Sequence, residues 1–146
     1  MLFRIYVLVR AFDDTTVEEV GATFKVPSDV DSTGTVTFRW VWYSTGQTTG
    51  TVVWFAQEYD FVEGDDWDAS PNSISAYPGD SVDTGSTEDI TVTTVTETVT
   101  NLAWAANDVV NFSTGRDADG SIAPTDDDLL SGDAQLLFFS VEIPRD

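Results

Sequence analysis

Acid is the chemistry this chain carries in quantity. It holds 26 Asp and Glu against 6 Lys and Arg, with no cysteine and no histidine. Two acidic clusters stand out: Glu63, Asp65, Asp66 and Asp68, and then Asp117, Asp119, Asp126, Asp127 and Asp128. Calcium takes about six to eight oxygen ligands and prefers carboxylates. Calcium is therefore the one cofactor to weigh, with Asp117, Asp119 and Asp126 as its ligand candidates. Asp117-Ala118-Asp119-Gly120-Ser121 loosely echoes a calcium loop, but it lacks the EF-hand spacing and the terminal glutamate. The favoured reading is a solvated acidic loop holding neither metal nor cofactor. Carboxylate pairs about 5–9.5 Å apart can hydrolyse glycosides. With this many acids some pair always qualifies, so spacing assigns no catalytic residue. Without histidine the usual base near neutral pH is missing, and with it the common form of the serine triad. Without cysteine there is no thiol, disulfide or zinc-thiolate chemistry. The expectation is a protein that is not an enzyme.

A formal net charge of -20 repels nucleic-acid phosphates and anionic membranes, which excludes both as partners. The single lysine, Lys25, and the excess of Asp over Glu suit a high-salt setting and ordinary solubility equally well. No apolar run approaches the roughly 20 residues of a membrane helix. The opening MLFRIYVLVRAF carries Arg4 and Arg10 inside its apolar run and has no small-residue cleavage site. It reads as a strand rather than a secretory leader. The scarce cations Arg39 and Arg116 lie in or beside predicted strands, and local ion pairs on a sheet face are their expected role.

Thr35 to Phe61 dominates the hydrophobic pattern of the chain, with three of its five tryptophans. Val36, Phe38, Trp40 and Trp42 alternate with Thr37, Arg39, Val41 and Tyr43, the mark of a strand with one buried face. Val52, Trp54 and Ala56 then alternate with Val53 and Phe55. The two strands read as a hairpin about a Ser/Thr/Gly turn, filling the centre of the core. Outside this stretch, Trp67, Tyr77 and Trp104 are candidates for stacking on sugar rings, if exposed. Phe3 to Val9 and Val20 to Val26 alternate likewise, and Pro27 ends the second run. The stretch from Glu63 to Asp89 is rich in Pro, Gly, Ser and Asp and reads as a long loop. Ile90 and Val92 mark a threonine-rich strand, Val95 to Val99 another short one, Asp108 to Arg116 a further one, and Ala134 to Ile143 the last. A short turn or helical piece is expected near Leu129-Leu130. This makes one all-β domain over residues 1–146, an antiparallel β-sandwich of jelly-roll type with about eight strands.

The last strand shows apolar residues on both faces. Leu137, Phe139, Val141 and Ile143 are assigned inward, leaving Leu136 and Phe138 outward. With Phe3 and Ile5 of the first strand, Leu136 and Phe138 form the expected subunit interface.

The order of motifs resembles a group of small β-sandwich structural proteins of tailed bacteriophages and related viruses. The resemblance runs from Val26-Pro27-Ser28-Asp29 through Phe38-Arg39-Trp40-Val41-Trp42-Tyr43 and Val52-Val53-Trp54-Phe55 to Glu63-Gly64-Asp65-Asp66-Trp67-Asp68. It continues with Asn107-Asp108-Val109, Gly115-Arg116-Asp117 and the Leu-rich final strand, and spans about Phe3 to Ile143. The group often has Gly-Asp where this chain has Asn107-Asp108. The resemblance implies a virion surface protein with an antiparallel sandwich, a homotrimer. The leading reading is a capsid decoration or cement protein, since the whole chain reads as one compact module, seated on the major capsid protein or other virion proteins. The competing readings are a fibre or spike head binding host glycans and a stand-alone carbohydrate-binding module.

Overall fold

Period-two alternation becomes strand almost wherever it occurs. The computed structural model describes residues 2–12, 15–45, 49–61, 81–83, 90–122, 128, 130 and 132–146. The strands in them are β1 (Leu2–Phe12), β2 (Glu18–Lys25), β3 (Thr35–Ser44), β4 (Thr49–Thr51), β5 (Trp54–Phe61), β6 (Ser81–Asp83), β7 (Thr91–Thr98), β8 (Val109–Arg116) and β9 (Ala134–Pro144). Among the described residues there is no helix; Leu130 is buried in a non-helical segment, and Leu129 lies outside them. The threonine-rich stretch is one strand, not two: it runs to Thr98 and turns at once, bringing Val99 and Leu102 into the core.

The strands form a four-stranded sheet in the order β1-β9-β3-β7 and a three-stranded sheet in the order β2-β8-β5, all antiparallel, beside a small β4–β6 pair. Successive long strands alternate between the two large sheets, so the protein is an antiparallel β-sandwich of jelly-roll type. That alternation corrects the expected hairpin. β3 belongs to the four-stranded sheet and β5 to the three-stranded one, and neither pairs with the other. Their tryptophans meet across the interior, Trp42 and Trp54 with ring centroids 5.6 Å apart. Two adjacent strands with one apolar face look alike in sequence whether they pair edge to edge or face each other.

The core is aromatic. Phe38 and Trp40 of β3, Phe112 of β8 and Phe139 of β9 pack together, with Phe139 within 5.1 Å of Trp40 and 5.4 Å of Phe112 between ring centroids. Burial of a side chain such as Phe139 or Val141 stabilises by about 1.5–3 kcal/mol. Two of the four buried indoles described find acceptors within the core, while Nε1 of Trp54 and Nε1 of Trp104 have no hydrogen-bond partner there. Trp40 Nε1 donates to Thr114 Oγ1 at 2.7 Å, and that hydroxyl donates on to the Phe55 carbonyl at 2.6 Å. Trp42 Nε1 donates to Thr93 Oγ1 at 3.1 Å.

Strand β9 departs from the sequence reading in one decisive way. Val41 pairs with Phe138 and Trp42 with Leu136, so the register slips by one residue at Leu137. Such a bulge reverses the side-chain phase. Phe139, Val141 and Ile143 face inward as expected, but on the other side of the slip Leu136 and Ala134 face inward too. Leu136 is 1% exposed, so it is a core residue and not an interface residue. Phe138 stays on the outer face, half-buried.

Two local features hold the sandwich in register. Gly115 lies where β8 passes β2 closely: a Cβ there would stand 1.9 Å from the Glu18 carbonyl oxygen, so only glycine fits. The chain's last residues clasp the segment after β2. Val30 bridges Arg145, Asp31 N donates to the Pro144 carbonyl at 3.1 Å, and Arg145 grips both oxygens of Asp29 at 2.7 and 2.6 Å.

Candidate functional site

Three of the residues singled out by type, Arg116, Asp117 and Asp128, meet at one end of the sandwich. The inward phase of β8 runs Val110, Phe112, Thr114 and then Arg116, so the strand carries a cation into the position of a core residue. Its side chain is 0% exposed and that of Asp128 is 2% exposed. This corrects the expectation of a pair on a wet sheet face. The guanidinium is used on every side: Nε donates to Asp128 Oδ2 at 2.9 Å, Nη2 to Asp128 Oδ1 at 2.7 Å and to the Leu130 carbonyl, and Nη1 to the Gly132 carbonyl at 2.7 Å. The fork-to-fork pairing is the strong form of an Arg–carboxylate contact. Asp128 Oδ2 also accepts from Val53 N at 3.0 Å, while Asp117 N donates to the Val53 carbonyl at 2.9 Å and Leu130 N to the Thr51 carbonyl at 3.0 Å. One buried ion pair thus ties three segments together: the entry to β5, the exit of β8 and the lead-in to β9.

The candidate metal ligands serve the next turn. Asp117 is 0% exposed, and its Oδ2 accepts from Ile122 N at 3.1 Å. Asp119 Oδ1 accepts from Ser121 N at 3.0 Å, and Gly120 sits at φ 69° in the left-handed region. Among the described residues no group of three or more acidic side chains is placed to hold a metal ion. Asp126, Asp127 and the whole cluster from Glu63 to Asp68 lie outside the described residues.

Of the proposed sugar-stacking residues, Trp104 alone lies among the described residues. Trp104 is 4% exposed, wedged edge-on against Phe24 and Phe38 at 5.4 and 6.5 Å between centroids. Its isolated place in the sequence hid the fact that the turn after β7 folds it beneath both sheets. It is a core residue and cannot stack on a ligand. Trp67 and Tyr77 lie outside the described residues. Of the interface residues, Phe3 and Ile5 stand in β1 opposite Ile143 and Val141, and their side chains lie outside the described ones.

The outer face of the four-stranded sheet differs from the rest of the surface. Register places Arg4, Glu142, Thr37 and Thr96 in one row, Ser140, Arg39 and Thr94 in the next, and Phe138, Val41 and Val92 in a third. Arg4 Nε lies 3.1 Å from Glu142 Oε1 and Arg39 Nη1 4.0 Å from the same oxygen. Arg39 therefore has the local ion pair expected of it. Sequence reasoning missed the pairing of Asp128 with Arg116, and it missed this face. An arginine on an otherwise apolar inward phase was the signal for the first; the outward phase shared by Ile90 and Val92 was the signal for the second.

No family model matches the chain, and no curated protein does. Among solved structures it is similar to CBM35 from Cellvibrio japonicus Abf62, at 12% identity and a TM-score of 0.43, over 88% of this chain and 67% of that one. At that distance the likeness says nothing about what this chain binds.

Proposed function

We propose that the chain is a non-catalytic structural protein of a tailed-phage-like particle, displayed on the head surface as a decoration or cement protein. The observation that carries the non-catalytic part is the Arg116–Asp128 pair. Among the described residues it is the constellation that most resembles an active site, yet the two side chains bond each other and the backbone of two neighbouring segments, at Val53 and at Leu130 and Gly132. A saturated, water-excluded pair of this kind positions chain and offers a substrate nothing to bind. The resemblance of the motif order supports the particle assignment. An acidic surface suits display, because like charge keeps many copies from sticking to packaged DNA. The glycan-binding reading has lost Trp104 to the core.

The test is to purify the particle whose genome encodes the chain, identify its proteins by mass spectrometry, and image it with the chain labelled. Copies on the icosahedral lattice support decoration. Copies at a tail tip, with saturable binding on a glycan array, transfer the chain to the fibre class. Absence from the particle overturns the proposal, as does polysaccharide hydrolysis abolished by a single carboxylate-to-amide change.

A further inference from the structure

Folding brings charges together, and this chain has few cations to set among its acids. It holds 26 Asp and Glu against 6 Lys and Arg. The described ion pairs engage four of those six cations with three acids: Arg4 and Arg39 share Glu142, Arg116 holds Asp128, and Arg145 holds Asp29. Each pair has a local task. The first joins β1, β3 and β9, the second is buried at one end of the sandwich, and the third clasps the last residues to the segment after β2. Taking those three from the 26 acids leaves 23, against Arg10 and Lys25. Lys25 is exposed on β2 and forms no ion pair among the described residues; the Arg10 side chain lies outside them. The acids so left stand at both ends of the body. Glu19, Asp119 and Asp133 lie at the end marked by Arg116, and Asp31 and Asp146 at the end marked by Pro144.

We infer that the sandwich is an ionic-strength switch: the chain keeps this fold in molar salt and gives it up as salt is diluted to a few millimolar. Composition alone suits a high-salt setting and ordinary solubility equally well, and the placement of the cations separates the two. An acidic surface becomes indifferent to salt when cations are laced among its carboxylates. Here two arginines share one glutamate and a third is sealed inside, so the surface acids are left to repel one another. The reach of that repulsion sets the switch. A domain of this length has a radius of gyration of about 15 Å, and the unfolded chain about 40 Å. At 0.01 M ionic strength the Debye length is about 30 Å, longer than the folded radius, so each uncompensated carboxylate repels all the others. Unfolding spreads the same charge over a body more than twice as wide and relieves the repulsion, which therefore works against the compact state. At 1 M the Debye length is about 3 Å. Only adjacent groups then feel one another, and the aromatic core decides the outcome.

Thermal melts of the purified chain, followed by circular dichroism across a NaCl series, test this apart from any particle, so it can fail while the virion assignment stands, and the reverse. Wild type melts cooperatively at 1 M, its midpoint at least about 10 °C above that at 0.02 M, and at 0.005 M it shows no folded baseline at 25 °C. KCl and tetramethylammonium chloride act as NaCl does at equal ionic strength, because screening does not depend on which cation supplies it. Glu19→Lys, Asp133→Lys and Asp146→Lys, all at exposed positions, together take the net charge from -20 to -14. Self-repulsion grows as the square of the charge, so the salt-dependent shift of this triple variant falls to about half that of wild type. The triple variant Glu19→Gln, Asp133→Asn, Asp146→Asn falls between the two. A smaller rise in the wild-type midpoint, a chain folded at 0.005 M, a saturable response to one cation alone, or a lysine variant with the salt dependence of wild type overturns the inference.

Discussion

Removing the charge of Asp128 tests the buried latch most directly. Asp128→Asn keeps the shape of the side chain and an oxygen for the Val53 amide, so it isolates the loss of charge. A guanidinium left without its carboxylate is a buried, uncompensated charge. With its side chain 0% exposed, Arg116 is cut off from bulk water and keeps the Leu130 and Gly132 carbonyls as acceptors. Breaking one side of a buried ion pair costs about 3–5 kcal/mol, a third or more of the roughly 5–15 kcal/mol that holds a domain together. In urea, with an m-value of about 2 kcal/mol/M, the midpoint falls by about 2 M. The thermal midpoint falls by about 10 °C. Asp128→Ala also orphans the Val53 N–H and costs about 1 kcal/mol more. The decrement is the same at 0.05 and 0.5 M salt, because a buried pair is little screened. A loss under 1 kcal/mol, or one that shrinks with added salt, would refute the placement of this pair in the interior. Equal losses for the Asn and Ala variants would show that the Val53 bond contributes nothing.

Other outcomes follow from the same geometry. The Arg145 guanidinium bonded to Asp29, and the Thr33 hydroxyl and amide bonded to Asp31, hold both carboxyls below their ordinary value of 3.8. A depressed folded-state pKa gives stability that is present above the ordinary value and lost as pH falls through the folded one. Acid titration below about pH 4 therefore destabilises wild type more steeply than the Asp29→Asn, Asp31→Asn double variant, followed by circular dichroism. Gly115→Ala drives a methyl into the Glu18 carbonyl, and the forced separation of β2 from β8 costs about 1–3 kcal/mol in urea titration. Trp104→Ala costs about 3–5 kcal/mol as a core truncation; unchanged stability with lost glycan binding would restore it as a surface residue. Leu136→Asp unfolds the protein whereas Val92→Asp does not, as thermal melts of the two variants will show.

The class of the fold was legible before any coordinates, because side-chain alternation is local. A strand's period is written in each run of residues, so Val36-Phe38-Trp40 and Val20-Ala22-Phe24-Val26 announced buried faces without reference to anything distant. Composition likewise bore on chemistry without a structure, since a missing histidine or cysteine is missing in every fold. Partners across the core were not legible. Trp42 meets Trp54 between sheets, and Trp104 lies under Phe24 and Phe38, because the sheet that each strand joins depends on all the others. The fate of Leu136 turned on a single-residue slip against β3. Only hydrogen bonding to a neighbour reveals such a slip, while the strand's own residues show two apolar faces. Arg116 was ambiguous for the same reason. Its phase pointed inward, but burial is tolerable only with a carboxylate beside it, and Asp128 arrives there by a fold of the chain that no local pattern encodes.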